Sequence, residues 1–213
     1  QPEVGRHARP ARERQPGQFI ILQIDSEFGE RIPLTIADAD PVAGTITIIF
    51  QAVGRTTHLL ATLEAGSAIA NILGPLGRPT PIARFGTVVC VAGGIGAAPL
   101  YPIAQALKQA GNRLVVIIGA RNQELMILAE EMRALADELI LCSDDGSVGR
   151  KALVTQPLKE LCEGPARPDM VVAIGPPIMM KFAAETTRPF GVPTVVSLDS
   201  IQLDCSGMCG GCV

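Results

Sequence analysis

The chain has 213 residues, enough for one large domain or two small ones. Hydrophobic residues make up 47% and charged residues 18%, so a substantial core can form and global disorder is excluded. A net charge of −3 without a basic stripe argues against a nucleic-acid partner, and 3% aromatic residues with no Trp leave little for stacking platforms.

Residues 1–16 (QPEVGRHARPARERQP) are basic, proline-containing and without apolar period, and read as a solvated, disordered lead-in. From Gly17 to about Leu73 the apolar runs are short. Gln18–Ile24, Gly44–Phe50 and Ser67–Leu73 are β-rich and bounded by Gly, Asp or Pro, which predicts strands. Thr56–Leu63 opens on threonines able to cap a short helix. Residues 17–80 are therefore expected to form a small antiparallel barrel or sandwich, closed by the turn-rich Gly74–Pro79.

After Gly86 strands and helices alternate. Strands are expected at Thr87–Ala92, Arg113–Ile118, Glu138–Cys142, Met170–Ile174 and Thr194–Leu198. Helices are expected from about Pro99 to Ala110, then at Leu125–Ala136, Val154–Cys162 and Ile178–Thr187. Unbroken Val/Ile runs between helices imply a parallel sheet covered on both faces, over residues 86–200. The uncharged stretch between Arg84 and Lys108 is interrupted by Gly93, Gly94, Gly96, Pro99 and Pro102, so it reads as strand, loop and helix rather than a membrane span. Cys90, Cys142 and Cys162 lie in apolar or helical contexts and read as core residues. That usage, without a signal-peptide pattern, leads to the expectation of a reducing cytoplasm.

Gly93-Gly94-Ile95-Gly96-Ala97-Ala98-Pro99 follows a strand and opens a helix. Such a loop lets backbone approach a pyrophosphate, with free N–H groups and the helix dipole stabilising it; a tight turn without ligand is the alternative. Gly119-Ala120-Arg121, Ser143-Asp144-Asp145-Gly146-Ser147 and Gly175-Pro176-Pro177 also fall at carboxyl ends of expected strands, where open α/β sheets bind ligands. Asp144 and Asp145 are either solvated turn acids or acceptors for ribose hydroxyls that would repel a 2′-phosphate.

Residues 204–213 (DCSGMCGGCV) hold three of the six cysteines among glycines. Thiolates spaced this closely can turn onto one metal centre, iron–sulfur above all, while buried cysteines or a disulfide are the alternative.

A barrel followed in order by GGIGAAP, GAR, DDGS and GPP resembles the ferredoxin–NADP reductase superfamily. Within it, the terminal cysteines resemble the iron–sulfur electron-transfer subunits of dihydroorotate dehydrogenases. The spacing Asp204-x4-Cys209-x2-Cys212, together with RIPLTIAD at 31–38, resembles the small subunits of NADH-dependent reduced ferredoxin:NADP oxidoreductases, also known as sulfide dehydrogenase small subunits. The resemblance covers about Pro16 to Val213.

It implies a small flavin-binding barrel, a parallel-sheet nucleotide-binding domain and, over 201–213, the start of an iron–sulfur arm. It also implies FAD near Arg31, Pro33, Leu34 and Thr35, with Leu34 and Thr35 lining the isoalloxazine. Ile49 and Phe50 would lie on the next flavin-facing strand, and Gly54, Thr56 and Thr57 at the FAD pyrophosphate. Isoleucine stands at 32 where the family motif has arginine, and at 174 where it has cysteine. NAD(H) would lie on Gly93, Gly94, Gly96, Ala97, Pro99, Gly119, Ala120, Arg121, Asp144, Asp145, Gly146, Gly175 and Pro176. Asp204, Cys209 and Cys212 would ligate a 2Fe–2S cluster, but the sequence reaches Val213 without the family's fourth cysteine, and QPEVGRHARPARER does not look like the family's first barrel strand, so the chain is expected to be a fragment, or altered, at both ends. The partners implied are a large flavoprotein/iron–sulfur subunit and, indirectly, ferredoxin. No side-chain acid or base is implied, in keeping with only two histidines, His7 and His58. A degenerate, non-catalytic metal-binding homologue is the reading from another class.

Overall fold

The computed structural model describes residues 8–26 and 29–198. They divide after Thr80 into two units.

The first unit is built on a four-stranded antiparallel sheet: β1 (Phe19–Gln23), β2 (Arg31–Asp40), β3 (Thr45–Ile48) and β4 (Asn71–Leu76), in the order β3-β2-β1-β4. Ile20, Leu22 and Ile36 form its core with Leu60 of helix α2 (Arg55–Ala61); Ile32, Leu34, Ile48 and Phe50 pack around them. Three departures from the sequence reading matter. Helix α1 (Ala8–Glu13) occupies part of the expected lead-in and packs on β2, β3 and β4, burying Pro10 and Ala11. Arg14 then pairs with Asp38 at 3.1 Å. The third expected strand starts later, at Asn71, because Ser67 is held in a turn whose hydroxyl accepts the Glu64 N–H at 3.2 Å.

The ten-residue β2 was not expected at all, since Pro33, Asp38 and Asp40 are poor strand formers. Its pairing explains how it forms. Arg31–Thr35 pair with β1, whereas β3 joins only from Ile36 to Asp40, with a register shift between Ile36 and Asp38. The Ile36 N–H donates to the Gln18 carbonyl at 3.2 Å. By alternation Leu34 and Ile32 also aim their amides at β1, and Pro33 turns its missing donor to the side with no strand opposite.

The second unit is a six-stranded parallel sheet in the order β10-β9-β5-β6-β7-β8. Its strands are β5 (Thr87–Gly93), β6 (Arg113–Ala120), β7 (Glu138–Ser143), β8 (Arg150–Lys151), β9 (Met170–Ile174) and β10 (Thr194–Val196). Helices α3 (Ala97–Gln109), α4 (Ala129–Leu135), α5 (Thr155–Glu163) and α6 (Pro177–Thr187) connect them. Alternate residues of the central strand supply two cores. Val88, Cys90 and Ala92 pack with Leu100, Leu107 and Met132, while Val89 and Val91 pack with Leu158, Cys162 and Ala183. This double burial is why the strands read as unbroken apolar runs. The helix expected over Leu125–Ala136 is shorter: Leu128 adopts φ +57, which a right-handed helix cannot contain, and α4 begins after it. Among the described residues no helix is long and apolar enough to cross a membrane.

Candidate functional site

In the second unit the chain runs β5-β6-β7-β8 in one direction along the sheet, then returns to place β9 and β10 on the other side of β5. Adjacent β5 and β9 send their following helices to opposite faces: α3 packs in the first core, and Ala183 of α6 in the second. Open α/β sheets form their ligand crevice at such a reversal, outside the carboxyl ends of the strands.

Two glycine loops meet there. A Cβ on Gly93 would lie 2.9 Å from Pro176 Cδ, and one on Gly96 would strike the Ile174 carbonyl oxygen and stand 2.9 Å from Gly175 Cα. These glycines serve close packing between loops. Gly94 differs: its φ is +54, and among the described residues nothing lies within 4 Å of where its Cβ would be. Its side of the loop is open backbone, directly before α3, whose first residue Ala97 is buried and whose Pro99 is half-buried.

The neighbouring loops are tied to each other. Gly119, next to last in β6, lies where a Cβ would strike Val154 Cγ1. The amides of Asp144 and Asp145 donate to the carbonyls of Ala120 and Arg121, both at 3.2 Å. Asp145 Oδ1 accepts from the Ser147 amide at 2.9 Å and from its hydroxyl at 2.7 Å; Ser147 Oγ in turn accepts the Gln123 N–H at 2.9 Å. These bonds, the Ser147 hydroxyl first, hold the Asp145 carboxyl below the usual carboxylate range. Asp145 is thus a turn-holding acid, with Gly146 at φ +81 completing the bend. Asp144 and Arg121 are exposed and make no ion pair among the described residues.

In the first unit, β2 presents the backbone of Pro33–Thr35 on a side that no strand covers among the described residues. Pro33 and Thr35 share one face and Leu34 lies on the other, half-buried on the core; Arg31 is exposed. Ile49 and Phe50, expected on the strand that is β3, instead follow it, since β3 ends at Ile48; Phe50 packs against the same core. Gly54 caps α2, and Thr57 Oγ1 accepts the Gly54 amide at 2.9 Å and donates to its carbonyl at 3.0 Å. Thr56 is 8% exposed and gives its hydroxyl to Glu30 Oε2 at 2.6 Å. Both threonine hydroxyls are therefore engaged within the protein. The strand edge suits a flat ring seeking backbone hydrogen bonds, and the first turn of α2 suits an anion.

Residues 90–185 match the oxidoreductase NAD-binding domain family. The chain is 44% identical over 202 residues to the dihydroorotate dehydrogenase B (NAD(+)) electron transfer subunit homolog of Thermotoga maritima, covering 95% of this chain and 71% of that one. The chain belongs to the ferredoxin–NADP reductase family of NAD-binding electron-transfer subunits. A second relative in this family, the probable dihydroorotate dehydrogenase B (NAD(+)) electron transfer subunit of Methanopyrus kandleri, is 36% identical over 207 residues, covering 97% of this chain and 76% of that one. A solved chain of the NADH-dependent reduced ferredoxin-NADP oxidoreductase superposes with a TM-score of 0.89 at 43% identity, over 96% of this chain and 73% of that chain. The antiparallel flavin-barrel-like sheet followed by a parallel NAD-binding sheet is the architecture of this family, as the resemblance implied.

The cluster ligands expected by analogy with this family, Asp204, Cys209 and Cys212, lie outside the described residues. The three thiols among the described residues are unsuited to ligation. Cys90, Cys142 and Cys162 are free and buried, with burial pushing the Cys90 thiol up to about 12 and raising the other two. Among the described residues no group of three His, Cys, Asp or Glu is placed to hold a metal. Two residues that shape the candidate site escaped the sequence reading. Ser147 was seen only as part of a loop, and Glu30 carries no motif.

Proposed function

We propose that this chain is the NADH-side electron-transfer subunit of a ferredoxin:NADP oxidoreductase-type complex, working with FAD and a 2Fe–2S cluster in a reducing cytoplasm and exchanging electrons with a large flavoprotein subunit. The observation that carries the nucleotide half is the open backbone at Gly94, placed at the β5/β9 reversal. There the Gly93–Gly96 amides and the start of α3 would hold the dinucleotide's pyrophosphate. Asp144, free of the turn that binds Asp145, would accept the ribose hydroxyls.

Pro33–Thr35 would hold the flavin ring by backbone contacts, and the first turn of α2 its pyrophosphate. A bound flavin supplies the exchange between paired and single electron transfer; the chain binds, orients and excludes water. In sequence, Asp204, Cys209 and Cys212 offer one carboxylate and two thiolates at a spacing suited to a cluster. The likeness to the ferredoxin-NADP oxidoreductase chain, sustained over 96% of this chain, supports the assignment to that type of complex. The names of the Thermotoga and Methanopyrus relatives support a second reading, the electron-transfer subunit of a dihydroorotate dehydrogenase.

The full chain, reconstituted with FAD, iron and sulfide without oxygen, should show flavin bands with a broad iron–sulfur shoulder, and NADH should bleach them. A colourless product, or colour indifferent to NADH, overturns the reading. A co-purifying flavin subunit, as against a dihydroorotate-oxidising partner, decides between the two complexes.

A further inference from the structure

Helix α2 has seven residues, too few to stand alone in water, so its placement depends on what it is anchored to. Only two of its residues are buried: Leu60, which enters the core, and Thr56 in the first turn. The apolar anchor therefore holds the end of the helix and a polar one its beginning. That polar anchor is the 2.6 Å hydrogen bond from Thr56 Oγ1 to Glu30 Oε2. Glu30 immediately precedes Arg31, the first residue of β2.

We propose that Glu30 is a positioning residue of the flavin site: through Thr56 it fixes the first turn of α2 against the strand carrying Pro33–Thr35. The proposal rests on the flavin reading above. It assigns the Thr56 hydroxyl to Glu30 and not to a phosphate oxygen. Removing the acceptor strands a buried hydroxyl, and the turn must shift or hydrate to relieve it.

The test is FAD affinity of the full chain, read by flavin fluorescence, beside NADH affinity read by its own fluorescence. Glu30→Ala should weaken FAD binding about tenfold, as loss of a charged hydrogen-bond partner does, with NADH affinity unchanged. Thr56→Val should match it, and the double variant should lose no more than either single one. Glu30→Gln keeps an acceptor oxygen and should hold FAD within about twofold of the parent. If Thr56→Val weakens FAD while Glu30→Ala binds equally or more tightly, the hydroxyl serves the phosphate and the proposal is wrong. Should Glu30→Ala fail to fold, Thr56→Val and Glu30→Gln decide, since both losing or both retaining FAD overturns it. A parent chain that binds no FAD would instead defeat the flavin reading itself.

Discussion

A Cβ placed on Gly175 would lie 3.0 Å from both the Cα and the N of Gly93, so the loops after β9 and β5 meet backbone against backbone. A methyl group there has no flexible neighbour to push aside on the Gly93 side. Gly175→Ala should destabilise the fold by about 1–3 kcal/mol in denaturant titration. Gly94→Ala meets no atoms but must hold φ +54, at a cost of about 1 kcal/mol, and should weaken NADH binding more than it weakens the fold. Equal NADH affinity in Gly94→Ala would remove that loop from the pyrophosphate.

The two loop aspartates should separate. Asp144→Ser is expected to raise kcat/KM for NADPH about tenfold by removing one surface charge near the ribose. Asp145→Ser should change preference less, because that carboxylate is spent on Ser147. The Asp145 carboxyl is held low in the folded chain, so its contribution is present above the ordinary carboxylate value and lost as pH falls through the lowered one. NMR titration of Ser147→Ala should show it returning upward.

Asp137 gives a second acid-side dependence. Its carboxyl is lowered first by the hydrogen bond from Lys108, at 2.6 Å, and then by the Leu114 amide at 2.8 Å. The stabilisation is complete above the ordinary carboxylate range and disappears as pH drops through the depressed value. With 39% of the side chain exposed, the effect is small. Denaturant midpoints followed from neutral to acid pH should fall less in Asp137→Asn than in the parent.

Leu128 stores strain that a smaller residue would release. Leu128→Gly should gain about 0.5–1 kcal/mol, since glycine adopts positive φ freely. A lower melting temperature in this variant would mean that the leucine side chain contributes more than its backbone costs.

For the cluster, Cys209→Ser should abolish iron–sulfur absorption while leaving reduction of FAD by NADH largely intact. Asp204→Cys should keep the absorption and shift the potential. Identical potentials would show that Asp204 is not a ligand.

The parallel sheet was legible because Val/Ile runs buried on both faces end in glycine loops, and the candidate nucleotide loops came with them. The first unit was harder to read. β2 carries Pro33 and two aspartates that only its one-sided pairing permits, and α1 buries Pro10 and Ala11 in a stretch of basic residues. Nothing in a leucine announces the left-handed turn at Leu128. The partner of Thr56 lies 26 residues away, a distance no local pattern spans.

The half-open pairing of β2 makes receptivity a matter of hairpin length. Were β3 to run on and zip alongside Thr35 and Leu34, the vacant flank would become ordinary sheet with nothing left to offer a guest. Two residues' difference in where one strand stops thus separates a socket from a wall.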